Sequence, residues 1–236
     1  MTTSDSNPVF DYRALRLLVG LVAIVLPVIV ELFSSTPLSS ISAAYYTEAR
    51  DIFVGSLFVI GALLWAYNGH TNAEKWVSKG ASLAAVIAAT FPTSCNFCEA
   101  DTKSTIHYAA AVILFSTIAF FCLGPFRKKK DVETVKTKRR RTIYLICGLI
   151  IVGCMLGAGV SEFALSDTTK KARAIIYIAE FVALWAFAVA WIVAGKVIPP
   201  LVDENDRLYL FRKQSTRIEA GDLAQRDIPK LNHSLF

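Results

Sequence analysis

Six blocks of apolar residues, each bounded by charged or turn-forming residues, dominate the chain: 14–33, 52–67, 76–91, 106–123, 143–160 and 174–198. A hydrocarbon layer about 30 Å thick needs roughly 17 to 25 mostly apolar residues for each helical crossing, so blocks of this length read as spans. Inside them the apolar residues run nearly unbroken, without the period of 2 or 3.6 that marks one wall of a soluble core. With 54 % hydrophobic and 19 % charged residues, the pattern predicts an all-α polytopic membrane protein. It is a six-transmembrane-helix bundle over 14–198, preceded by a cytoplasmic segment, 1–13, and followed by a cytoplasmic tail, 199–236. The third block is the least constrained, because its core, 81–91, is short and Ala-rich, and Trp76 and Val77 are needed to bring it to length.

Lys and Arg accumulate on the cytoplasmic side of membrane proteins. Six crossings with both termini inside place 20 of the 25 Lys and Arg there: Arg13 and Arg16, Lys75 and Lys79, nine from Arg127 to Arg141, and seven from Lys196 onward. Arg50, Lys103, Lys170, Lys171 and Arg173 are left outside. The first 33 residues have the basic start of a signal peptide, but Pro27 and Glu31 interrupt the run and no A-x-A site follows, so an uncleaved span is expected, kinked at Pro27.

Between the first two blocks, 37–51 reads P-L-S-S-I-S-A-A-Y-Y-T-E-A-R-D, rich in hydroxyls and ending in an acid-Arg-acid cluster. Ionisable residues within a bilayer are costly and mark function by default. On the topology above, Glu31, Glu48, Arg50, Asp51, His107, Glu162, Arg173 and Glu180 all fall at the outer interface, and none at the inner end. Arg173, Tyr177, Glu180 and Leu184 share one helix face, which puts Glu180 about 10 Å in from Arg173. The expected ligand-binding set is therefore Ser39, Ser40, Ser42, Tyr45, Tyr46, Glu48, Arg50, Asp51, His107, Arg173, Tyr177 and Glu180, with 39–42 folded over it as a lid. The plainer alternative is a set of satisfied interfacial pairs that hold helices in register.

Other features have their own alternatives. Cys95 and Cys98 form a C-x-x-C on the second outer loop, read as a disulfide or as two free thiols. A zinc site there would need further ligands, and only His107, Glu99 and Asp101 are near, so neither metal nor cofactor is expected. Cys122, Cys147 and Cys154 read as small apolar filler. Trp65, Tyr67 and Trp76 read as interfacial anchors. Ala81, Ala85 and Ala89, the pair Gly153 and Gly157, and Ala179, Ala183, Ala186 and Ala190 read as internal packing seams rather than dimer faces. The basic loop, 127–141, fits anionic lipid headgroups at about 1 kcal/mol per charge far better than nucleic acid.

The run P-L-S-S-I-S at 37–42, Y-Y-T-E-A-R-D-I-F-V-G at 45–55, Phe91-Pro92-Thr93 and His107 together resemble a bacterial six-span family of unknown function similar to the Frag/DRAM/Sfk group. The resemblance covers roughly 17–123. It implies a six-helix bundle in a bacterial inner membrane and, by analogy, lipid handling or membrane remodelling, and it carries over no catalytic residue. Two classes of function stand beside it. One is a membrane protein that binds a lipid headgroup or small polar ligand through Arg50, Arg173 and the hydroxyls. The other is a lipid hydrolase or transferase with His107 as general base and Glu180 or Asp51 orienting it or holding a metal. A proton-coupled transporter is the third reading, though the two halves of the chain show no repeat.

Overall fold

The computed structural model describes residues 12–69, 71–94, 101–128, 134–164 and 169–202, with the backbone alone at 12, 162–164 and 169–174. Among them are six α-helices: α1 (Tyr12–Phe33), α2 (Arg50–Ala66), α3 (Asn72–Thr90), α4 (Thr102–Leu123), α5 (Val135–Ala164) and α6 (Thr169–Ala194). Single 3-10 turns stand at Ser42–Tyr46, Pro125–Arg127 and Pro199–Leu201. Each apolar block lies largely in one helix, and α1 runs unbroken through Pro27. Cys95, Cys98, residues 129–133 and the tail from 203 lie outside the described residues, as do the side chains of Glu162 and Arg173.

Local signals explain where the helices begin and end. Thr71 opens α3 by accepting the Glu74 amide at 3.2 Å. Asp101 opens α4 with a reciprocal box, its carboxylate accepting the Ser104 amide at 2.8 Å while Ser104 Oγ accepts the Asp101 amide at 3.0 Å. Such boxes satisfy donors that a helix start leaves without intrahelical partners. Gly69, in the turn before α3, has φ +64°, and a Cβ there would stand 2.5 Å from that of Glu74. Only glycine adopts that conformation and that approach without strain.

Each helix packs on the next, and α6 packs back on α1, so the six close into a ring. Consecutive helices run antiparallel. Ser78 and Ser82 near the start of α3 donate to the carbonyls of Leu64 and Gly61 near the end of α2, at 2.7 and 2.6 Å. The ring therefore has two distinct ends. One, the basic end, gathers Arg13, Arg16, Lys75, Lys79, Arg127, Lys128, Lys136 to Arg141 and Lys196. The other, the capped end, is covered by the connection from Ser34 to Ala49.

The outer wall of the ring is apolar. On α1, Leu18, Leu21, Val25, Val28 and Leu32 are exposed, while Leu15, Val19, Leu26 and Val30 face inward. Exposed Phe58, Val112, Ile113, Leu149, Leu156, Ile178, Val182 and Val189 continue the belt on the other helices. Monomers in water rarely expose continuous apolar surface of this extent. Four helices, Arg13–Phe33, Thr102–Arg127, Val135–Ser161 and Ile175–Ala194, are long and apolar enough to cross a membrane. The chain is thus a helical integral membrane protein. By contrast, α2 has only 17 residues, and α3 is rich in Ala and Ser and carries Glu74, Lys75 and Lys79.

Two expectations change. Trp65 and Trp76 are 60 % and 70 % exposed, as anchors would be, but Tyr67 is 2 % exposed and belongs to the core. Ala81, Ala85 and Ala89 are buried where expected, whereas a Cβ on Gly153 or Gly157 would meet nothing within 4 Å. The α5 face that packs inward carries Tyr144, Cys147, Gly148 and Ile151. Gly148 is the close-approach glycine, its Cβ position lying 2.6 Å from Leu123, and Gly153 sits about 140° around the helix from it.

Candidate functional site

The capped end is assembled by hydrogen bonds inside the 34–49 connection. Ser34 Oγ lies 3.0 Å from Thr47 Oγ1, and the Ser35 hydroxyl and amide donate to the Glu48 carboxylate at 2.9 to 3.2 Å. A hydrogen bond from its own backbone amide above all, then those from Ser35, hold the Glu48 carboxyl below the usual carboxylate range. Ile41, Ala44 and Ala49 are buried against Leu26, Val30, Phe53, Leu57 and Leu184. Tyr46 donates to the Thr93 carbonyl at 2.6 Å, which ties the connection to the stretch after α3. Partial burial, then the nearby Asp101 charge, lift the Tyr46 hydroxyl above its ordinary pKa.

Glu180 fastens the connection to α6. Its Oε2 accepts the amides of Ile41 and Ser42 at 2.5 and 3.2 Å, and its Oε1 accepts the Ser42 hydroxyl at 3.3 Å. A carboxylate here does the work of an N-cap for the Ser42–Tyr46 turn, taking the donors that the turn cannot pair internally. Ser40 and Ser42 are buried, with their hydroxyl oxygens 3.1 Å apart, while Ser39 is half-buried beside them. The neighbouring Tyr177 hydroxyl is within hydrogen-bonding reach of Glu31.

His107, on the first turns of α4, is 3 % exposed. Its Nδ1 lies 3.0 Å from the Ala88 carbonyl and 2.8 Å from that of Phe91. Both are acceptors, so Nδ1 carries a proton and donates to the carbonyls at the end of α3 that have no intrahelical partner. Beside it Tyr108 receives the Thr93 hydroxyl at 3.2 Å and lies 2.5 Å from Ser94 Oγ, a contact for which the sequence gives no periodic signal. No protein-family model, curated protein or solved structure matches the chain.

Arg50 and Asp51 are exposed at the start of α2. The Arg50 guanidinium lies over the Tyr45 ring, 4.5 Å from its centroid, and donates to the Tyr45 hydroxyl at 3.1 Å. No hydrogen bond or ion pair joins any two of Arg50, Asp51, His107 and Glu180. Among the described residues no group of three or more His, Cys, Asp or Glu gathers closely enough to hold a metal ion. The orienting carboxylate that a His107 base would use is a pair of backbone carbonyls instead.

The buried charges that sequence reasoning missed lie at the basic end, where none was expected. Arg16, 8 % exposed, donates to Tyr67 Oη at 2.5 Å and to the Ala194 carbonyl at 3.2 Å. Its Cζ stands 5.0 Å from the Tyr67 ring centroid and 5.3 Å from that of Phe126. Phe126 in turn packs on Phe121, Tyr144 and Trp191, and Trp191 on Phe121 and Phe187, edge-on or tilted at centroid spacings of 4.8 to 5.7 Å. Glu74, 2 % exposed, pairs with Lys128 at 2.9 Å. Arg140, also buried, donates to the Leu201 carbonyl at 2.6 Å, and Lys136 to that of Val202 at 3.1 Å. The signal was present: Arg16 shares the inward stripe of Leu15, Val19 and Ala23, and Glu74 that of Ser78, Ala81 and Ala85.

Proposed function

We propose that the chain is a six-span membrane protein with its basic end and both termini in the cytoplasm. Its capped end faces outward and binds a phosphate-bearing polar group, a lipid headgroup above all. The observation that carries this is the state of Arg50: exposed, pre-oriented on Tyr45 by stacking and a hydrogen bond, and without a carboxylate partner among the described residues. Glu48, two residues away, is turned to Ser35, and Asp51 makes no ion pair. A guanidinium held in that way matches the geometry of a phosphodiester. At the basic end, exposed Lys138 and Arg139 suit an anionic inner leaflet. The likeness of 37–55 to the Frag/DRAM/Sfk group agrees with a lipid-facing role, and six helices in a ring agree with six spans.

Lipid carried through purification provides the test. In Arg50→Gln, phospholipid retained per chain is expected to fall roughly tenfold, the value of one charge-assisted hydrogen bond. Retention equal to that of the unmodified chain would overturn the headgroup reading. The hydrolase reading has no observation in its favour, since His107 donates to carbonyls of α3 and neither Glu180 nor Asp51 reaches it.

A further inference from the structure

We propose that Glu180 is a proton-binding site reached from the capped end through the hydroxyls of Ser40 and Ser42. This does not depend on headgroup binding or on Arg50. It starts from the direction of the hydrogen bonds. A carboxylate only accepts, so the Ser42 O–H must donate to Glu180 Oε1 across their 3.3 Å separation. With that proton committed, the 3.1 Å contact between Ser40 and Ser42 has Ser40 as donor. The Ala43 amide meanwhile donates to Ser40 Oγ at 3.0 Å, which leaves the Ser40 O–H free for that purpose. The hydroxyl protons of Ser40 and Ser42 therefore both point toward Glu180.

The transfer balances. Water at the half-buried Ser39 gives a proton to Ser40 Oγ, Ser40 passes its own to Ser42, and Ser42 passes its own to Oε1. One O–H bond forms on the carboxyl, each serine ends with the O–H it received, and one hydroxide's worth of charge is left to the bulk. The protonated acid keeps every contact: Oε2, now the carbonyl oxygen, still accepts the amides of Ile41 and Ser42, while Oε1–H donates to Ser42 Oγ. Proton uptake therefore does not require the connection to leave α6.

Among the described side chains none supplies Glu180 with a counter-charge. Among the described residues, the groups that act on it are the two amides and the Ser42 hydroxyl. On α1 the nearest acid, Glu31, is exposed and engaged with Tyr177. The connection carries no charge from Pro37 to Thr47, and Glu48 beyond it is held by Ser35. On α2, Arg50 and Asp51 are exposed, and on α6 itself Tyr177 is the neighbouring ionisable group among the described side chains, that of Arg173 lying outside them. Among the described groups, a proton is what can neutralise a carboxylate so placed.

Infrared difference spectroscopy on the full chain in lipid nanodiscs, titrated from neutral to acid pH, tests this. A carboxylic-acid C=O band should appear on acidification and be missing in Glu180→Gln. Gln preserves the fold, because its amide oxygen takes both N–H groups and its NH2 donates to Ser42 Oγ. In Ser42→Ala and Ser40→Ala the band should remain, but its hydrogen–deuterium exchange should slow by about tenfold, the cost of one lost hydrogen-bonded link. A band that persists in Glu180→Gln, no titrating band in the unmodified chain, or unchanged exchange in both serine variants would each overturn the proposal.

Discussion

Arg16 is a cation that the fold has taken out of water and surrounded with oxygen lone pairs and aromatic faces. Replacing it with Gln removes its hydrogen bonds to the Tyr67 hydroxyl and the Ala194 carbonyl and two cation–π contacts. A loss of about 3 kcal/mol is expected, read as a lower unfolding temperature in detergent. Arg16→Lys should recover only part of it, because a compact ammonium cannot reach both oxygens while lying flat against Tyr67 and Phe126. Glu48 and Asp101 act in the opposite chemical sense. Both carboxyls sit below their ordinary range, Glu48 through its own amide and Ser35, Asp101 chiefly through the Ser104 amide. A depressed carboxyl stabilises the fold above its unfolded pKa, and that contribution is lost as pH falls through the folded value. Protection factors of the backbone amides of Ser35 and Ser104, taken against the intrinsic rate at each pH, should therefore fall in acid, and those of α5 should not. Equal protection at acid and neutral pH would contradict this. At this scale the sequence was half legible. Glu180 stood out as an acid within an apolar face, and Ser42, whose hydroxyl it accepts, was in the same expected set, but its other two partners, backbone amides, have no residue-type signature. Arg16 was set aside as a topology marker because a basic residue near a helix start is common, whereas its inward register was the informative part.

At the scale of elements, close approach is concentrated at a few helix crossings. A Cβ on Gly20 would stand 2.7 Å from Ile192 Cγ1 and 3.0 Å from the Ala188 carbonyl, whereas one on Gly153 would meet nothing. Gly20→Ala is therefore expected to cost about 1 to 3 kcal/mol by overpacking the α1–α6 crossing. Gly153→Ala should gain up to about 1 kcal/mol from helix propensity alone. Thermal unfolding of the two variants side by side checks the pair, and destabilisation by Gly153→Ala would mean that this face of α5 meets something. The six elements were readable because an apolar block is a property of composition along the chain. Their facing was not readable, because a small residue permits close packing without saying which neighbour uses it. The Gly153 and Gly157 pair fits the spacing rule and faces away, while isolated Gly148 and Gly20 make the crossings. In α2 and α3 the serines are what the apolar scale undervalues: Ser78 and Ser82 spend their hydroxyls on α2 carbonyls, so their polarity is satisfied inside the ring.

The whole molecule is a ring with unlike ends, and its orientation is open to a direct test. In a chain lacking Cys95 and Cys98, a cysteine at Lys103 should react with an impermeant thiol reagent on intact cells, and one at Lys138 only after the membrane is opened. The reverse pattern would invert the topology. Both positions are exposed, and they lie at opposite ends of the ring. The architecture was legible in outline, since block lengths and the bias of Lys and Arg are global quantities. Closure of α6 onto α1 was not, because nothing in a linear pattern says that the sixth block returns to the first. That closure bears on how the protein is made. Arg13 and Gly195 are neighbours across it, the Gly195 Cβ position lying 3.1 Å from the Arg13 carbonyl, and one of the oxygens that satisfies Arg16 belongs to Ala194. In synthesis Arg16 and Ala194 are made 178 residues apart. Through that interval the guanidinium of the first helix can engage Tyr67 but not Ala194, so a chain that lacks α6 holds Arg16 with one of its two oxygen partners missing.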